Sequence, residues 1–211
     1  MKTFQFLMMD LSSPPKIYIP FYMAKFIEVF VIFILAIIIV MYLVKHYGEV
    51  EYVRASDNRE YLVRNLSDKQ EAAQLLADVT RNMQHLVQHM CAKYPEDPRS
   101  KQLYENFNPS SISEGSPDSG YTSYSVNKGE KIILCLRQKD GKFVKINTIL
   151  YVAIHELGHL MTSDIGHTDA FWKNFKFLLN EAIFIKIYTK EDYHTEPQDY
   201  CGIKINNSVL I

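Results

Sequence analysis

Residues 29–44 read VFVIFILAIIIVMYLV, sixteen residues without a charge. Extended to 26–45, the stretch rises about 30 Å as a helix, the thickness of a bilayer's hydrocarbon core. It is apolar all round, whereas a helix on the surface of a globular domain shows an apolar stripe. Tyr18 and Tyr22 precede it and Tyr42 and Tyr47 close it, the positions of interfacial aromatic belts. Glu28 lies three residues after Lys25 and can stay at headgroup level. A cleaved signal peptide has a shorter apolar core followed by small residues, but here Lys45-His46-Tyr47 follows. A buried core helix is the third account. The expectation is a tail over 1–25 and a single transmembrane anchor over 26–45.

The remainder must fold by itself. Residues 45–211 carry 20 Lys and Arg against 22 Asp and Glu, a net charge of −2. That excludes a polybasic nucleic-acid binder, and no nucleic-acid partner is expected. With 47% hydrophobic and 22% charged residues, the chain is not disordered. Cys91, Cys135 and Cys201 lie far apart with no CxxC. They argue against a disulfide framework and a Cys-rich zinc module, and lean toward reducing surroundings.

Apolar residues recur at three and four from Ala72 to Met90, so 68–94 is expected to be a helix, ended by Pro95 and Pro98. The region 46–107 is read as helical. Residues 108–120, NPSSISEGSPDSG, read as a loop. Tyr121–Val126 and Lys131–Arg137 flank Asn127-Lys128-Gly129-Glu130 as a hairpin, and Asp140-Gly141 marks a second turn. Asn147 or Thr148 can cap a helix to Met161, Thr168 another to Tyr188, and Tyr200–Ile205 can return as a strand.

Inside the first of those helices stands His155-Glu156-Leu157-Gly158-His159. Two His one turn apart share a helix face and can reach one ion. Glu156, about 100° round, can touch a metal-bound water without ligating the metal. Three fixed positions coincide by chance on the order of once in a hundred chains of this length. The surrounding sequence, ILYVAI before and LM after, makes the helix buried; two imidazoles and a carboxylate there are costly unless paired or metal-bound. A zinc site is therefore expected, with His155 and His159 as ligands and Glu156 as general base. Three residues remain open as the third ligand. His167 follows Gly166, which permits a tight reversal, just before the Thr168 cap. Asp164 is nearer in sequence, and Glu181 lies 22 residues after His159 on the next helix.

HELGH followed by Gly166-His167-Thr168-Asp169-Ala170-Phe171-Trp172 resembles the WLM metallopeptidase family, related to the SprT-like proteases. The resemblance extends over Tyr121–Arg137, Asn147–Ile154 and Pro197–Ile205, roughly half the chain, and is closest to versions in large DNA viruses. It implies a zincin-like fold, peptide-bond hydrolysis, and His155, His159 and His167 as zinc ligands with Glu156 as base. The seven residues between His159 and His167 exceed the family's usual gap. Well-known members act on DNA-bound proteins; the net charge of −2 and the anchor argue against carrying that role over.

The remaining polar features are secondary. His85 and His89 read as a solvated helix face, and Cys135 as core. Tyr121, Tyr124 and Tyr151 are possible oxyanion donors, with Tyr151, one turn before His155, preferred. The hairpin edge can hold an extended substrate by strand addition. The expectation is an α+β zincin-like domain, with its catalytic core over 121–211, acting on a protein or peptide substrate from a single-pass anchor. The alternative is a membrane-tethered zinc-containing binding or structural protein without turnover. Lys45, Arg54, Arg59 and Arg64 after the span outnumber Lys16 and Lys25 before it, favouring a cytoplasmic domain. Asn65-Leu66-Ser67 and Asn206-Asn207-Ser208 fit a glycosylation pattern and point the other way.

Overall fold

The computed structural model describes residues 21–115 and 122–210. The chain divides into two units, one ending at Gly48 and one running from Glu49 to the C-terminus. Within the first, α1 spans Phe21–Tyr47. Its stretch Lys25–Val44 is long and apolar enough to cross a membrane by length and composition, and none of it is buried. Tyr18 and Lys16 lie outside the described residues.

The second unit mixes helices and small sheets. β1 (Val50–Arg54) and β2 (Glu60–Arg64) form an antiparallel hairpin. Its turn carries Asn58 at φ 65° and an Asp57 carboxylate that accepts from the Arg59 backbone N–H at 3.1 Å. Tyr61 and Val63 point inward. Residues 46–107 thus contain strands as well as helices. The periodic segment forms α2, Lys69–Lys93, burying Leu76, Val79, Met83, Leu86, Val87 and Met90 along one face. α3, Pro98–Asn106, falls within the region read as helical, and its start follows rule: Pro98 sits in the first turn and Asp97 caps the Arg99 N–H at 2.9 Å.

The segment read as a loop over 108–120 holds a 3₁₀ turn at Pro109–Ser111 and a strand, β3, at Ile112–Glu114; residues 116–121 lie outside the described set. β3 pairs in parallel with β5 (Lys131–Leu134), and β4 (Tyr124–Val126) pairs antiparallel on its other side. The sheet order is β3-β5-β4, with β4 at an edge. The β4–β5 turn has positive φ at Asn127, Lys128 and Gly129. Glycine is required at the last of these, because a Cβ on Gly129 would stand 2.2 Å from the Asn106 carbonyl oxygen.

α4, Ile146–Met161, is buried almost all round. Neither expected residue caps it. Lys145 occupies the cap position without a side-chain bond, and Asn147 instead clamps the 189–191 loop, donating to the Thr189 carbonyl at 2.9 Å and accepting from its N–H at 2.9 Å. α5, Asp169–Phe184, starts as expected at Thr168, whose hydroxyl accepts from Phe171 N–H at 3.3 Å, but stops before Tyr188 at a reversal with Lys186 at φ 62°. Helices α4 and α5 approach closely at Gly158, where a Cβ would lie 3.0 Å from the Phe171 ring. A short hairpin, β6 (Gln198–Tyr200) and β7 (Ile203–Ile205), closes the chain.

The cysteine reading is corrected by a disulfide between Cys135 and Cys201, 66 residues apart. Cys91 is free. The thiol argument for reducing surroundings therefore falls.

Candidate metal centre

α4 carries His155 and His159 on one face. The chain then reverses through Gly166, at φ 83°, and returns His167 just before the α5 cap. One ligand atom from each of the three imidazoles lies within 4.8 Å of the others. The Nε2 atoms of His155 and His167 are 2.9 Å apart. Two nitrogens on one tetrahedral zinc at 2.0–2.1 Å would be separated by about 3.3 Å. That pair is within a few tenths of an ångström of the zinc spacing, and imidazole nitrogens are donors that zinc takes.

Aromatic rings fix the imidazoles. Phe171 stacks on His159 at 4.3 Å between centroids, and Trp172 stacks on His167 at 5.5 Å. Phe171 and Phe175 meet His155 edge-on at 4.8 and 5.2 Å. This apolar cover disfavours imidazolium at His155 and His159. Burial first, then the neighbouring His159 and His167, push His155 down to about 3; burial, His167 and Lys128 push His159 down to about 4. Both rings are neutral at pH 7, the form that ligates metal.

Glu156 is 4% exposed. Burial pushes its carboxyl up to about 7, against hydrogen bonds from the Ser125 side chain and backbone. Its Oε2 is buried and has no partner. The carboxylate faces a cleft of about 560 Å³ that β4 and the 164–167 loop line together with His155 and His159. Lys128 ties the two walls, donating to the Thr162 carbonyl at 3.0 Å and to that of Ser163.

The other candidates fall elsewhere. Asp164 lines the cleft and accepts from the Thr168 hydroxyl at 3.3 Å, but is outside the histidine cluster. Glu181 is bound to α2: its carboxylate lies 2.6 Å from His89 Nε2 and accepts from Lys93 at 2.9 Å and the Tyr94 hydroxyl at 2.7 Å. Burial raises its pKa, but these three partners prevail and hold it near 2. His89 is therefore a partner of Glu181 and not a solvated residue, while His85 is exposed as expected. Tyr151 points away from the cleft: it is packed between Phe175 and Tyr193, and its hydroxyl donates to the Asn207 carbonyl at 3.2 Å. Tyr124 lines the cleft, and Tyr121 lies outside the described residues. Ser125 and Lys128 were not singled out by sequence, because a serine in a strand and a lysine in a turn carry no local signature.

The WLM domain family model matches residues 56–209, almost the whole of the second unit, and the chain belongs to that family. The uncharacterized protein R325 of Acanthamoeba polyphaga mimivirus is 34% identical over 196 residues, which cover 89% of this chain and 100% of that one. The uncharacterized protein 136R of Invertebrate iridescent virus 6 is 32% identical over 87 residues, 39% of this chain and 46% of its own. A crystal structure of Wss1 from Saccharomyces cerevisiae aligns over 57% of this chain and 84% of that one, at 21% identity and a TM-score of 0.43.

Proposed function

We propose that this chain is a zinc metallopeptidase with a zincin-like α+β domain, tethered to a membrane by α1. The observation that carries the reading is the convergence of three imidazoles within 4.8 Å beside a buried glutamate whose Oε2 is free. WLM family membership supports the peptidase class. His155, His159 and His167 hold the ion. When bound, zinc supplies Lewis acidity, lowering the pKa of a water toward 7 and polarising a carbonyl.

The chain's own residues do the rest. Glu156 lines the cleft beside Ser125, and its carboxylate, with Oε2 unpartnered, is the proton acceptor. The same oxygen can return that proton to the departing amine. β4, at the sheet edge and along the cleft, offers backbone groups to an extended polypeptide, so a protein or peptide is the fitting substrate. Phe171 and Phe175 keep His155 and His159 neutral and oriented, and Trp172 orients His167. The excess of Lys and Arg after the span favours a cytoplasmic domain, the Cys135–Cys201 disulfide favours the oxidising side of the membrane, and glycan attached at Asn65 or Asn206 in cells would decide for the latter.

Elemental analysis tests the site. About one zinc per chain is expected, because three imidazoles and a water complete a tetrahedron. His155→Ala, His159→Ala and His167→Ala should each lose it, whereas Asp164→Ala and Glu181→Ala should keep it. Full zinc in a His155→Ala/His159→Ala double variant would sink the site.

A further inference from the structure

The edge strand β4 has only three residues in its ladder with β5, and strands that short have little stability of their own. Its entry is held from outside the sheet. The Ser123 hydroxyl accepts from the Cys135 N–H at 3.0 Å, donates to the Thr122 carbonyl at 2.9 Å, and lies 2.6 Å from the hydroxyl of Tyr200. Either hydroxyl can donate in that last contact. Tyr200 is 1% exposed and belongs to the C-terminal hairpin. The residue after it, Cys201, is joined to Cys135. Gln138 completes the seam, accepting from the Cys201 N–H at 3.0 Å and donating to the Asp199 carbonyl. Ser123 lines the cleft, and so, two residues further on, does Ser125, beside Glu156. A connected path therefore runs from the disulfide through Tyr200 and Ser123 to the strand that lines the cleft beside the proposed base.

We infer that the β6–β7 hairpin is a redox-dependent brace of the cleft, with Tyr200 as a positioning residue acting through Ser123 on β4. The inference rests on the peptidase reading for its catalytic consequence but not for its structural one. Both half-cystines are partly exposed and so open to thiol attack. A dithiol reductant suffices: one thiolate attacks a sulfur of the pair, the S–S bond breaks, a mixed disulfide forms, and the second thiol resolves it. Two electrons and two protons pass to Cys135 and Cys201, and the reductant leaves as its own disulfide. The hairpin then keeps Gln138 and Tyr200 but loses its covalent tie to Cys135, and β4 loosens. The domain works fully only where the disulfide is formed.

The experiment uses the full-length chain in detergent, zinc-loaded, with and without a dithiol reductant. Hydrogen exchange of residues 122–126 should rise at least about fivefold on reduction and return on reoxidation. On a protein substrate, kcat/KM should fall about tenfold, mostly through KM, with zinc content unchanged. Cys135→Ser and Cys201→Ser should match the reduced protein and ignore reductant; Cys91→Ser should behave as wild type. Tyr200→Phe, which keeps the ring and the disulfide, should reproduce part of the exchange increase. Unchanged exchange at 122–126 with both thiols shown free by mass would overturn the brace, as would a rate loss that follows loss of zinc or global unfolding. An oxidised wild type without turnover on any protein defeats the peptidase reading, and the exchange measurement then decides the brace alone.

Discussion

α1 and α4 are both apolar nearly all round, yet they live in opposite surroundings. Every described side chain along 25–44 is exposed, whereas α4 buries eleven of its sixteen residues against α2, α3, α5 and the central sheet. The difference lies in what surrounds each helix in sequence. α4 is preceded and followed by segments that supply matching apolar faces, such as Leu76, Met83 and Met90 of α2 and Phe171, Phe175 and Leu178 of α5. α1 is exposed along 25–44, and by length and composition it is a helix able to cross a membrane. Their polar content differs in the same sense. α4 tolerates two His and a Glu because they converge on one place; the middle of α1 holds nothing that would need a partner.

The largest test of this contrast is removal of residues 1–44. The full chain should partition with membranes through carbonate extraction, and the shortened chain should stay in the supernatant. A freely soluble full-length protein would remove the anchor.

Paired truncations sharpen it next. Leu157→Ala, at a site with no exposure, should destabilise the domain by about 2–5 kcal/mol in urea unfolding. Leu35→Ala should leave the same transition unmoved, because Leu35 is 52% exposed and belongs to the other unit.

Gly158→Val is expected to cost about 1–3 kcal/mol, since even a Cβ would lie 3.0 Å from Phe171, whose ring stacks on His159. Zinc affinity should fall with stability in this variant. A fall in stability at unchanged affinity would separate the α4–α5 crossing from the metal centre.

The smallest expected effect concerns acid. Glu181 is depressed from 4.5 to about 2 by Lys93, Tyr94 and His89 despite its burial. A depressed carboxylate contributes stability that is fully present above its unfolded pKa and lost as pH falls through the folded one. Glu181→Gln should therefore be less stable than wild type near pH 6, by about 1–3 kcal/mol, with the gap closing between pH 4.5 and 2. A constant gap across that range would mean that the carboxylate's charge plays no part.

What could be read from the sequence follows the range of the interactions. The HExxH pair sits within one helical turn, so local spacing brought His155, Glu156 and His159 into view; it left His167, Asp164 and Glu181 open as the third ligand, and the WLM resemblance implied His167. α2 was legible because ten buried residues repeat on one face. β1 was not: Val50 and Tyr52 sit on its exposed face, so no alternation survives. β3 hides in a Ser- and Pro-rich stretch because its pairing partner is 20 residues away. The Cys135–Cys201 bond and the His89–Glu181 pair join residues 66 and 92 positions apart. No periodicity reports such contacts; they exist only once the helices have packed.

The most direct test of the central claim is Glu156→Gln, assayed for zinc content and protein cleavage together. The account predicts about one zinc per chain, an unchanged unfolding transition and a rate at least about a hundredfold below wild type, the scale of general-base loss. Wild-type-like cleavage by the Gln variant, with its zinc in place, would contradict it.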